Sequence, residues 1–257
     1  MKYTRPVYIF FLIMPMGISQ GFVTVTLPFL LTKSGFPVAL TAGIVAIGLS
    51  ANLWRFAWGP VVDLSLSLHK WYWLSLLACI ASVMLLCFIP FTVKSATLLS
   101  ITVFVSQVAG TITLLPINGL MAKRIRENKK GAASGWYQAG SLAGTGIGGG
   151  AGLWLATHYN LILAGIALCA ASIFFAMVML LTQDIPYRKE KTIAHEVKGM
   201  SRDILAMIKL PVALTHDKFG SRYMLIAEAI AGIIFVIMSF VALQQMKQKN
   251  MIPVIVE

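Results

Sequence analysis

Six apolar stretches, roughly residues 7–31, 38–58, 71–91, 98–121, 132–156 and 161–181, succeed one another with only short polar breaks. Each supplies about the 20 residues that a helix needs to cross a bilayer. A seventh, roughly 223–243, follows a long polar gap. Hydrocarbon offers no water to backbone N–H and C=O groups, so runs of this length must satisfy them internally, as helices. Composition agrees: 58% of the residues are hydrophobic and only 12% charged, against roughly 25% charged in an ordinary soluble domain. The fold class is an all-α integral membrane protein. Lys2 and Arg5 precede the first stretch as they would in a signal peptide. Its apolar run is too long for one, and no small-x-small site closes it, which predicts a retained first helix.

Basic residues collect on the cytoplasmic side of short loops. With the N-terminus inside, that side receives Lys2, Arg5, Lys70, the cluster Lys123, Arg124, Arg126, Lys129 and Lys130, and the basic residues of the 188–222 gap. Lys33 and Lys94 alone fall in the outer loops between the first six helices. The seventh stretch is basic at both ends, with Lys218 and Arg222 before it and Lys247 and Lys249 after it, a conflict for a single span. Within the gap, an apolar run begins at Ala206 and breaks after nine residues at Thr215-His216-Asp217-Lys218, too short to cross. It reads either as an interfacial amphipathic helix or as a transmembrane helix whose remainder is missing. The expected organisation is a six-helix bundle over 1–182, a basic linker with the start of a further helix over 183–214, and a final transmembrane helix with its tail over 215–257. The net charge of +12 needs no nucleic-acid partner, because loops facing anionic membrane lipid account for it.

The first and fourth helices share a pattern. Ser19-Gln20-x-x-x-Thr24-x-Thr26-Leu27-Pro28 recurs 87 residues later as Ser106-Gln107-x-x-x-Thr111-x-Thr113-Leu114-x-Pro116. That offset maps helices one to three onto four to six, a 3+3 repeat. Gln20 and Thr24 share one helix face, as do Gln107 and Thr111. Two readings stand for these four: bonds to neighbouring helices or to their own backbone, or the lining of a substrate path between the repeats. Arg55, in Asn52-Leu-Trp-Arg55, either snorkels toward the boundary marked by Asp63 or attracts an anionic solute. Glu228, in the seventh stretch, reads as a boundary residue or an intramembrane acid.

Residues 139–156, AGSLAGTGIGGGAGLWLA, contain Gly144, Gly146 and Gly149 at G-x-G-x-x-G spacing. A dinucleotide site needs a strand before this motif and an acid about 20 residues on, and neither is present. Gly140, Gly144, Gly148 and Gly152 instead step by four along one helix face, a stripe that lets another helix approach closely. The expected partner is a helix of another half. Cys79, Cys87 and Cys169 fall inside apolar stretches without metal-ligand spacing, and read as buried thiols.

Phe56-Ala-Trp58-Gly-Pro60-Val-Val-Asp63, followed by His69-Lys70-Trp71, carries a resemblance. The chain resembles the N-terminal half of a major facilitator transporter, in the branch of muropeptide permeases and acetyl-coenzyme A transporters, with Arg55 where that branch has a basic residue. The superfamily's loop motif, G-x-x-x-D-R-x-G-R, is matched at Gly59 and Asp63, which makes these gating candidates. Asp217-Lys218-Phe219-Gly220-Ser221-Arg222 is similar to a shortened second copy, adding Asp217 and Arg222, and resembles the approach to such a transporter's last helix. The resemblance implies an internal deletion of four or five helices.

It further implies secondary transport by alternating access, driven by an ion gradient, of a small to medium and anionic solute such as a muropeptide or coenzyme A ester. No enzyme, cofactor or metal is expected, since His69, His158, His195 and His216 are scattered and no nucleotide or hydrolase motif occurs. A homodimer could supply an absent half. Two alternatives stay open. One is a drug/proton antiporter, because the fifth-helix glycines are similar to that group's pattern, with Thr145 replacing its proline. The other is a transport-inactive fragment or accessory membrane protein. Short loops without a targeting segment fit a bacterial inner membrane.

Overall fold

A computed structural model describes residues 3–184, with the backbone alone for Phe56, Ala57, Pro60, Asp63 and Leu64. These residues belong to the first of two units into which the chain divides, Met1–Lys209 and Leu210–Glu257. The expected linker beyond residue 184, the final helix, Glu228 and the gating candidates Asp217 and Arg222 lie outside the described residues.

Six rods run through the described part. The first joins α1 (Val7–Gly21) to α2 (Leu27–Lys33) through a five-residue π segment, Phe22–Thr26. The second joins α3 (Val38–Ser50) to α4 (Arg55–Ser65) through a 3-10 turn, Ala51–Trp54. The third is α5 (Leu68–Phe88), and the fourth is α6 (Ala96–Arg124) with a leading 3-10 turn. The fifth joins α7 (Lys130–Gly146) to α8 (Gly152–His158) through a second π segment, Ile147–Ala151. The sixth is α9 (Leu161–Ala176), tightening to 3-10 over Met177–Leu181.

Local chemistry sets the ends. Ser67 and Asn160 cap α5 and α9, accepting from the backbone N–H of Lys70 (3.4 Å) and Leu163 (2.6 Å). Gly35, at φ +87°, ends α2 in the left-handed conformation that a Cβ disfavours, while Phe36 N–H bonds back to Leu31 O (3.0 Å).

Four rods are long and apolar enough to cross a membrane: Val7–Lys33, Leu68–Phe88, Val93–Arg124 and Leu161–Leu181. The second reaches that character only over the shorter Val38–Trp54. The fifth falls short although its length suffices, because its sequence spends positions on glycine, serine and threonine. Second and fifth are repeat partners, so the weakly apolar rods form a related pair.

The packing follows the repeat. The first rod lies against the fifth, sixth and fourth; the fourth lies against the second, third and first. Exchanging one to three for four to six turns one set of neighbours into the other. Two apolar cores result. Ile9, Leu12, Ile13, Tyr72, Leu76, Leu114, Ile117 and Met179 gather at one level. Ile18, Phe22, Leu27, Ile44, Val83, Leu86, Leu99, Val103 and Leu168 gather at the other. The boundary between the cores falls between Met16 and Ile18 on the first rod, just before Ser19, and at Cys79, Ser106–Gln107 and Ser172 on the third, fourth and sixth.

Candidate functional site

Corresponding residues of the first and fourth rods meet. Ser19 Oγ lies 3.1 Å from Ser106 Oγ, its counterpart at the 87-residue offset. Gln107 Nε2 donates to Ser19 Oγ at 3.3 Å, and all three side chains are buried. Placing hydroxyls and an amide between two apolar cores costs free energy unless they bond one another, and here they do. A cavity of about 10 Å³ adjoins this layer, lined by Ser19, Cys79, Cys169, Ser172 and apolar neighbours. It is large enough for about one water molecule and far too small for a solute. All three cysteines are buried and free.

The four polar candidates separate into two kinds. Gln20 and Thr24 are half-buried, on a partly open face of the first rod. Thr24 Oγ1 donates to the Gln20 carbonyl (2.8 Å), leaving the Gln20 amide clear of that bond. Gln107 and Thr111 are buried, and Thr111 Oγ1 donates to Val108 O (2.7 Å) in its own helix. The repeat preserves residue type but not environment.

Arg55 opens α4 immediately after the 3-10 turn and is half-buried. Its Nη2 donates to Asn52 Oδ1 at 3.2 Å, and Asn52 Nδ2 donates to Leu49 O at 3.2 Å. The turn therefore orients the guanidinium through a neighbour three residues back. Gly59 and Asp63 fall within α4 rather than in a loop; a Cβ at Gly59 would meet open space.

The glycine stripe finds a partner in the same bundle, not in another half. A Cβ at Gly140 would strike the Phe10 carbonyl, at Gly144 the Met14 carbonyl (2.5 Å), and at Gly148 the Ile18 carbonyl. Gly152 faces Leu168 Cδ1 (3.0 Å) and Thr26 Oγ1 (3.1 Å). The first rod answers with Gly17 and Gly21, whose Cβ positions fall on the carbonyls of Ser141 (2.6 Å) and Thr145. These two form a G-x-x-x-G of their own, a signal present in the sequence that the fifth-helix stripe overshadowed. Where the stripe ends, the two π segments face each other, and the buried Thr26 Oγ1 reaches the carbonyls of Gly148 (2.9 Å) and Gly149 (3.0 Å).

A clasp that sequence reasoning missed ties three rods at one end. His69 Nδ1 sits 2.8 Å from Asp184 Oδ1, while its Nε2 faces Met179 O (3.1 Å) and Thr182 Oγ1 (3.0 Å). Arg124 Nη2 donates to the Asp184 carbonyl at 3.0 Å. Partial burial raises the Asp184 carboxyl, but bonds from Ser67 and the His69 backbone, with the His69 charge, outweigh it and hold its pKa below the ordinary value. No sequence motif signals this clasp, because His69 and Asp184 are 115 residues apart.

The Major Facilitator Superfamily model matches residues 9–251. No curated protein is similar enough to be matched to the chain. Among solved structures, one that matches is a crystal structure of the peptide transporter POT in complex with sulfate, with a TM-score of 0.61 at 16% sequence identity. That match covers 92% of this chain and 51% of the transporter, so the chain spans about half its length. At this identity the likeness is one of fold.

Proposed function

The chain belongs to the Major Facilitator Superfamily, and from that premise we propose that it serves secondary transport, moving a small to medium anionic solute by proton-coupled alternating access. The observation that carries this reading is the placement of Arg55: a half-buried cation in the second rod, directly after its apolar Val38–Trp54 stretch and oriented by Asn52. A charge at mid-helix costs roughly 2.5–3.5 kcal/mol on insertion scales, and binding an anion gives that cost a function. Gln20 and Thr24, half-buried on the first rod, are the proposed polar lining of the path. Gln107, buried and bonded to Ser19, ties the first and fourth rods that flank it, while the buried Thr111 bonds only within its own helix.

The solute class is muropeptide- or coenzyme A ester-like, following the Phe-x-Trp-x-Pro-x-x-Asp pattern at 56–63, and the site of action is a bacterial inner membrane. The other half of the path comes from a second copy or from residues beyond this bundle. Gly59 and Asp63, with Asp217 and Arg222, remain the proposed gating positions.

Proteoliposomes test the reading. Uptake of a labelled anionic glycopeptide should rise with an inward proton gradient, and Arg55→Ala should lower it about tenfold or more, the factor that roughly 1.4 kcal/mol represents. Uptake unchanged in that variant makes Arg55 a snorkelling residue. Absence of uptake at every gradient, from a folded chain, supports the transport-inactive reading instead.

A further inference from the structure

Away from the proposed path, the chain builds a basic pocket at the entrance to the first rod. Residues 3–6 cross the end of the fourth rod, pinned where Thr4 N–H donates to the Arg124 carbonyl at 2.9 Å. Opposite them, a 3-10 turn over Glu127–Lys129 brings Arg126 and Lys129 to the same concavity. The concavity is half-open to solvent, with a volume of about 180 Å³, and is lined by Tyr3, Thr4, Arg5, Pro6, Arg126 and Lys129, of which Tyr3 and the three cations are exposed. Among the described residues, three cations and no acid line it. The nearest acid in sequence, Glu127, is taken by Lys130 Nζ at 2.6 Å. The Arg126 guanidinium stacks 4.9 Å from the Tyr3 ring centroid, which holds one wall in place.

We infer that this pocket binds a phosphate-bearing anion. Three like charges around one concavity repel, and an anion of more than one charge relieves all three at once. Arginine presents a planar fork matched to phosphate oxygens, and lysine adds a compact point charge. The volume exceeds what a bare phosphate fills, leaving room for the group that carries it. Pro6 immediately precedes the apolar α1, so the pocket lies at the depth where a bilayer places its headgroups. The phosphate belongs either to an anionic lipid or to a free anion, and the experiment separates the two.

The full chain is placed in phosphatidylcholine nanodiscs containing a minor share of phosphatidylglycerol, and co-purifying lipid is counted by native mass spectrometry. Inorganic phosphate is titrated separately by calorimetry. Arg126→Gln combined with Lys129→Gln should weaken binding about 25-fold, at roughly fivefold per lost cation. Arg126→Lys, which keeps the charge but loses the fork, should give a smaller loss. Lys94→Gln, exposed in a different loop, should change nothing. Selective retention of phosphatidylglycerol identifies a lipid headgroup; phosphate binding with the same mutational loss, without lipid selectivity, identifies a free anion. The proposal is overturned if the lipids are retained without selectivity and inorganic phosphate does not bind, or if the double variant holds its ligand as well as the parent chain. None of these outcomes depends on uptake through the transport path.

Discussion

The first rod crosses the fifth, and the fourth crosses the second, in positions that the repeat makes equivalent, yet the two crossings are built differently. In the first, glycines on both sides let backbone meet backbone, and Gly17 and Gly144 bring an added Cβ within 3.0 Å of the opposing Cα. In the second, the places of Gly17 and Gly21 at the 87-residue offset are taken by Phe104 and Val108. There Gly48 meets side chains: Val103 Cγ1 at 2.6 Å and Gln107 Cγ at 3.4 Å. Lipid tails are as apolar as leucine, so membrane helices associate through packing and hydrogen bonds rather than hydrophobic burial. Removing side chains is one way to pack; interlocking them is another. One repeat unit has diverged into both.

The same substitution placed in each crossing tests this difference and should produce the largest effect. Gly148→Ala drives a Cβ into the Ile18 carbonyl, and backbone cannot step aside without moving the rod. The expected loss is about 2–3 kcal/mol, the upper range for overpacking, read as a lowered unfolding midpoint in mixed micelles. Gly48→Ala meets Val103, a side chain able to change rotamer, and should cost about 1 kcal/mol. Gly146→Ala and Gly150→Ala, which meet open space, should be neutral or slightly stabilising through helix propensity. Equal losses at Gly148 and Gly48 would mean that the two crossings tolerate volume alike, and the contrast would fail.

How legible this was in the sequence depends on which physical signal each feature leaves. Six rods follow from apolar length; the repeat makes Ser19 and Ser106 equivalent, but their meeting is seen only in the structure. The stripe on the fifth rod was legible as a stripe, but its partner was not. Spacing states that a helix can be approached closely and says nothing about which helix approaches. Gly17 and Gly21 carried the missing half of that statement. Thr111 shows the opposite limit. It shares type and spacing with Thr24, yet one is buried and the other half-exposed, because environment comes from neighbours that a repeat does not list. The π segments FVTVT and IGGGA are poor in helix formers, but that weakness does not say which departure from the α-helix they take, and the 3-10 turn before Arg55 is no more specific.

The polar layer between the crossings should yield a smaller effect. Ser19 and Ser106 belong to both repeats, and a double-mutant cycle with Ser19→Ala and Ser106→Ala isolates their bond. Hydrogen bonds between membrane helices average about 0.6 kcal/mol in such cycles, and the coupling should fall near that value. Gln107 shares Ser19 as its acceptor, so Ser19→Ala alone should cost more than Ser106→Ala. Equal single losses would mean that the Gln107 amide finds another partner once Ser19 is gone.

The smallest expected effect lies at the clasp, where the third, fourth and sixth rods are tied by charge rather than by packing. The Asp184 carboxyl ionises below its ordinary value of 3.8 in the folded chain. A carboxyl whose pKa is depressed on folding adds stability that is fully present above its unfolded pKa, and loses it as the pH falls through the folded one. Acidification from about pH 5 downward should therefore lower the unfolding midpoint of the parent chain, and Asp184→Asn should flatten that slope while leaving the shape at neutral pH unchanged. The side chain is 45% exposed, so solvent screens the interaction and added salt should shrink the difference further. Parallel acid slopes for the two chains would remove any electrostatic role from the clasp, leaving helix ends held by the Arg124 bond to the Asp184 carbonyl and the contacts of Thr182.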